Sequence, residues 1–142
     1  MSAKQLVVQN EAIHLRKASE VKVFDSFVET VLYFKKLGKI LSICSNRGVK
    51  SLNVILEKNG INQYFDNIIS CSDVGHDKPD PYCLVKLMTK YPEIKVEETI
   101  YFGDSKTDAD FATNAGVDYL VIDHYLNKKQ FYSMILSAFV SI

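Results

Sequence analysis

Three cysteines in 142 residues, odd in number and with no Cys-x-x-Cys pair, leave little from which to build a disulfide framework or a zinc site. Cys44 and Cys71 close apolar runs, where a reduced thiol behaves as a small hydrophobe, so a cytoplasmic setting is expected. Neither sign of charge is in excess: 17 Lys plus Arg balance 17 Asp plus Glu. That balance argues against nucleic acid as the main ligand. No apolar run reaches the ~20 residues of a membrane span, and the polar start does not read as a signal peptide. Repeats, low-complexity tracts and Pro/Gly/Ser linkers are missing too, which favours a single domain at this length.

What the chain does have is a hydrophobic content of 47%, enough for a sizeable core, arranged in regular alternation. Ser26 with Glu29 reads as a capping box opening a helix over residues 27–37, ended by Gly38. A short strand over 39–44 follows, then a helix over 48–58 stopped by Gly60, then a strand over 67–71. Asp80-Pro81 opens the next helix, with the acid as N-cap and proline at the first helical position. A strand over 99–102, a helix over 107–114 closed by Gly116 and a strand over 119–122 complete the series. Phe131, Ile135 and Phe139 place one apolar stripe on a final helix over 128–140. This pattern predicts a parallel sheet with helices on both faces.

Three features stand just beyond predicted strand ends, where open α/β sheets bind ligands. Asp104 and Asp108 follow the run Thr99-Ile100-Tyr101-Phe102-Gly103. They read either as a helix cap and a first-turn acid or as carboxylates for a hard cation such as Mg²⁺. Ser45 offers a hydroxyl at a helix start, a ready anion site, although serine is also an ordinary cap. Lys78 is a cation in a loop set by Pro79 and Asp80-Pro81. A hydroxyl, a lysine and an acid pair, each after a strand, suit phosphoryl transfer, which needs positioning and neutralisation of phosphate charge. His76 stands close to Lys78, while His14 and His124 read as surface residues.

In these features the sequence resembles the haloacid dehalogenase-like superfamily, closest to its phosphoglycolate phosphatase and β-phosphoglucomutase type. The likeness rests on Phe34-Lys35-Lys36-Leu37-Gly38, Ser45-Asn46, Val74 through Pro81, Gly103 through Asp108, and Ala115-Gly116-Val117. It implies a Rossmannoid three-layer α/β/α core with a mostly parallel sheet, the cap domain being absent or reduced to one helix. It also implies Mg²⁺ as cofactor and a small phosphorylated metabolite as substrate. By the resemblance, Ser45 and Asn46 bind the phosphoryl oxygens, Lys78 neutralises charge between phosphate and nucleophile, and Asp104 is the metal-binding acid. Asp108 is the second acid, as a ligand or as support behind one.

The family's nucleophile and its acid/base belong to an Asp-x-Asp pair after the first, central strand, and no Asp-x-Asp-x-Thr occurs before Ser45. Asp25 has no second acid, and Asp108-Ala109-Asp110 has the spacing but falls within a helix. Two accounts of residues 1–22, set apart from a core of 23–142, follow. In the favoured one, residues 10–19 are a cap-helix remnant and the first strand is absent. The sheet then lacks its middle, to be completed by residues 5–9, a second chain or a separate fragment. In the other, Leu6-Val7-Val8 is the central strand and Gln9-Asn10-Glu11 a degenerate first motif. Either way an amide is no nucleophile, and the chain alone is expected to be inactive or very weak.

Overall fold

The structure, a computed structural model, describes residues 5–8 and 25–121. Five parallel strands form one sheet: β1 (Gln5–Val8), β2 (Ile40–Ser45), β3 (Asn67–Ser70), β4 (Thr99–Gly103) and β5 (Asp118–Val121). Their order is β3-β2-β1-β4-β5. The helices are α1 (Asp25–Lys36), α2 (Val49–Lys58), α3 (Tyr82–Thr89) and α4 (Lys106–Ala115).

Of the three ways offered to fill the middle of the sheet, the structure shows the first, a strand within residues 5–9. β1 occupies the centre, pairing Leu6 with Leu41 of β2 and with Ile100 of β4. Its Leu-Val-Val run suits a strand covered on both faces, and it removes the two buried edges that a gap would leave unpaired. The helices proposed over residues 10–19 and 128–140, and both His14 and His124, lie outside the described residues.

Alternation along β2 and β4 sorts the core into two layers, because successive side chains point to opposite faces. Leu41, Ile43, Ile100 and Phe102 meet Val31 and Phe34 of α1 and Leu52 and Leu56 of α2. Cys44 and Tyr101 face the other way, against Cys83, Leu84 and Leu87 of α3 and Phe111 and Ala112 of α4. Each large side chain so buried is worth about 1.5–3 kcal/mol.

Local signals hold with small shifts. Gly38 and Gly116 take positive φ just past their helices, as predicted. α1 already includes Ser26, so Ser26 is not its cap. α3 starts one residue later than expected, yet Asp80 still satisfies its start by accepting from the Tyr82 N–H at 3.0 Å.

Cys44, Cys71 and Cys83 are free thiols, all buried in the second layer. Burial, followed by hydrogen bonding to Cys71, pushes the Cys83 thiol up to about 12. Hydrogen bonding to Cys44 and then burial push Cys71 up as well. All three are expected to resist a thiol reagent at pH 8 until the chain is unfolded. Because Cys83 titrates from 9.0 ordinarily to about 12 when folded, its contribution to stability is complete below pH 9 and lost as pH rises towards 12. The denaturation midpoint is therefore expected to fall between pH 8.5 and pH 10.5.

Candidate functional site

Strand order decides where a site can form. From β1 the chain runs to β2 on one side, while β4 leads to β5 on the other, so the switch point lies between β1 and β4. Val8 pairs with Phe102 there, and Gly103 and Asp104 follow at the carboxyl end. Ser45 ends β2 on the other flank of β1.

Asp104 and Asp108 differ sharply. Ser105, not Asp104, caps α4: its Oγ accepts from the Asp108 N–H at 3.1 Å and donates to Asp108 Oδ2 at 3.0 Å. The Asp104 N–H also reaches Asp108 Oδ2, at 3.2 Å. This reciprocal cap, in a Ser-x-x-Asp spacing, leaves the half-buried Asp104 side chain out of the capping task. Asp108 has no exposed surface, and its Oδ1 accepts from Lys78 Nζ at 2.7 Å and from Tyr101 Oη at 3.1 Å. Both of its oxygens are therefore engaged by protein donors.

Gly103 makes this possible. A Cβ there would lie 2.5 Å from Asp108 Cγ and Oδ2, so only glycine lets the first turn of α4 fold back onto the strand end.

Lys78 is drawn inward, its side chain wholly buried. Nζ contacts Asp108 and, at 3.2 Å, Tyr101 Oη, and it lies 5.9 Å from the ring centres of Tyr101 and Phe111. Asn46 holds the lysine's main chain from both sides: Oδ1 accepts from the Lys78 N–H at 2.8 Å and Nδ2 donates to the Lys78 carbonyl at 3.4 Å. Ser72 Oγ donates to the Asn46 carbonyl and Asp73 Oδ2 accepts from the Val49 N–H. The loops after β2 and β3 are thereby tied together.

Ser45 is buried, and its Oγ accepts from the Arg47 N–H at 3.0 Å. Arg47 follows it, with Nη1 donating to Ser51 Oγ at 2.6 Å and burial holding the guanidinium below its ordinary value. The field of the two acids is felt by Tyr119: burial first, then the charges of Asp108 and Asp104, push its phenol up to about 12.

The structure thus gathers Lys78, Asp108 and, through Asn46, the Ser45 end of β2 into one hydrogen-bonded unit, with Asp104 beside it. His76 turns away to Asp80 and stacks on Tyr82 at 4.0 Å. Asp25 falls within α1, and Asp110 pairs with Lys106 on the exposed face of α4. Tyr101 was not singled out from the sequence. The signal was present, since a tyrosine in an otherwise apolar buried strand must find a partner for its hydroxyl.

Among the described residues, no three His, Cys, Asp or Glu side chains converge on one point. Mg²⁺ nevertheless takes as little as one carboxylate together with water and phosphate oxygens. Asp104, a hard oxygen donor at the strand end, fits that requirement, with Asp108 fixing the backbone behind it. Among the described residues no helix is long and apolar enough to cross a membrane.

A sequence profile described as haloacid dehalogenase-like hydrolase matches residues 3–122. Phosphoglycolate phosphatase of Vibrio cholerae serotype O1 is 34% identical over 87 residues, 61% of this chain and 38% of that protein. The pyrophosphatase PpaX of Bacillus mycoides is 28% identical over 111 residues, 78% of this chain and 51% of that protein. The chain thus spans about half or less of these relatives. An NMR structure of a core domain from Streptococcus pneumoniae TIGR4 superposes with a TM-score of 0.71 at 20% identity, covering 100% of this chain and 98% of that one. The superposition speaks for the fold.

Proposed function

Since the chain belongs to the haloacid dehalogenase-like hydrolase family, we propose that it is the core of a phosphatase acting with Mg²⁺ on a small phosphate monoester. The observation that carries this reading is the unit of Lys78, Asp108 and Asn46 at the carboxyl end of the sheet, beside Ser45 and Asp104. Lys78 places a cation behind the phosphoryl oxygens, and Ser45 with the main-chain N–H groups at the start of α2 supplies donors to them. Asp104 would hold the cation, which when bound neutralises phosphate charge. Asp108 stays behind, setting Lys78 and the Asp104 backbone.

The nucleophile is the step this chain carries poorly. With β1 in the centre of the sheet, the residues after Val8 in sequence are Gln9-Asn10-Glu11, an amide where the family's attacking carboxylate belongs. That placement supports the degenerate-motif account over one that needs a separate fragment. The chain as it stands is therefore weak, its phosphate-holding half intact and its attacking half altered.

Hydrolysis of p-nitrophenyl phosphate with Mg²⁺ tests the reading. The wild type is expected to turn over slowly or not at all, and Gln9→Asp to raise the rate roughly 10²-fold or more. Adding Asp104→Asn to that variant is expected to return it to background. Failure of Gln9→Asp to gain activity, with no inorganic phosphate bound by the wild type, would overturn the phosphatase reading. Phosphate bound tightly without any gain would instead mark a phosphate-binding protein.

A further inference from the structure

Tyr101 Oη reaches three elements at once. It lies 3.2 Å from Lys78 Nζ in the loop after β3, 3.1 Å from Asp108 Oδ1 on α4 and 3.3 Å from the Cys44 carbonyl on β2. Lys78 Nζ and Asp108 Oδ1 are 2.7 Å apart, so lysine, tyrosine and aspartate close a triangle of direct contacts. An ammonium only donates, and a phenol has one proton and two lone pairs. Oη therefore accepts from Lys78, and its own proton goes to Asp108 or to the Cys44 carbonyl. That carbonyl belongs to the peptide unit leading into Ser45.

The ring is immobilised as well. It has no exposed surface, meets Phe111 edge-on at 5.2 Å and lies along Tyr119 at 6.4 Å. A hydroxyl on a strand side chain with no room to rotate is a fixed point, whereas a lysine has a flexible four-carbon stem. We infer that Tyr101 is a positioning residue for Lys78: its hydroxyl sets the ammonium relative to the Ser45 end of β2, so that both groups address the same anion. The anion part of this inference rests on the phosphate site proposed above; the positioning of Lys78 does not.

The test compares Tyr101→Phe with Tyr119→Phe. Tyr119, half-buried where Tyr101 is wholly buried, donates from Oη to the Ser105 carbonyl at 3.2 Å and makes a control of the same chemistry beside the Tyr101 ring. The hydrogen bond lost by a buried ammonium is worth about tenfold or more in affinity. Titration with inorganic phosphate is thus expected to show roughly tenfold weaker binding for Tyr101→Phe and less than twofold for Tyr119→Phe. Side-chain nitrogen NMR on lysine-labelled protein is expected to move the Lys78 Nζ resonance in Tyr101→Phe only. A purely structural hydroxyl would lower stability but leave the resonance in place and the two variants equal in phosphate binding, which would overturn the inference. If the wild type binds no phosphate, the proposed site fails separately, and the resonance still decides the role of Tyr101. Should Tyr101→Phe not fold, 3-fluorotyrosine at position 101 keeps the shape and makes the phenol more acidic. A shifted Lys78 resonance supports the inference and an unmoved one overturns it.

Discussion

Lys78→Met is expected to destabilise the fold by about 3–5 kcal/mol, because it removes the cation from a carboxylate that has no access to water. The methylene stem and its volume are retained, so the loss isolates the charge. Asp108 would keep Tyr101 and the donors on Oδ2, but those are neutral groups facing a full negative charge. Against a total stability of about 5–15 kcal/mol, such a loss leaves a marginal protein at 37 °C. The double variant Lys78→Met/Asp108→Asn is expected to lose clearly less than the two single variants summed, since neither member then strands a charge. Urea denaturation followed by circular dichroism measures all four corners of the cycle. A single-variant cost below about 1 kcal/mol would mean that the pair is hydrated and worth no more than a surface ion pair.

Gly103→Ala is expected to cost about 3 kcal/mol, although it adds only a methyl group at a residue with no special φ. The new Cβ would arrive 2.5 Å from Asp108 Cγ and Oδ2. Asp108 cannot yield cheaply, because its oxygens hold Lys78, Tyr101, Ser105 and the Asp104 N–H. Either α4 lifts from the strand end or the aspartate leaves its partners, and both break the Lys78 triangle. Gly48→Ala is the control: its Cβ would meet Asp73 Oδ1 at an ordinary 3.7 Å, and its stability is expected to stay within about 0.5 kcal/mol. The Lys78 side-chain resonance should shift in Gly103→Ala and stay unchanged in Gly48→Ala. Equal stability of the two alanine variants would show that the turn has slack.

The fold was legible in the sequence because its signals are local. Apolar runs ending at glycine, serine or asparagine marked β2 to β4, a run ending at aspartate marked β5, and positive-φ glycines marked the ends of α1 and α4. β1 was the exception. Its four residues carry no flanking turn signal and follow a polar start, so from sequence a central strand there was the less favoured of two readings, and pairing with β2 and β4 puts it in the middle of the sheet. Ser26 and Asp104 show the limits of capping signatures. Each has a cap's residue type, yet the helix starts elsewhere, and at α4 the neighbouring Ser105 makes the better reciprocal pair with Asp108.

The sequence by itself determined the class of fold, the order of its elements, and which residues fall at or beyond strand ends: Ser45, the last residue of β2, and Lys78 and Asp104. These follow from periodicity and position along the chain, which are properties of short segments. It also determined that no Asp-x-Asp lies between residues 1 and 45. Only the tertiary structure decided what each residue touches. Lys78 and Asp108 are 30 positions apart, Tyr101 and Cys44 57, and their meeting depends on which face of each strand they occupy and on the strand order. That geometry placed Asp108 behind the site and Asp104 at its edge, made Asn46 a holder of the Lys78 backbone, and brought in a tyrosine whose role no local pattern announces. Local chemistry is written residue by residue, whereas a buried charge acquires its partners only when distant segments pack.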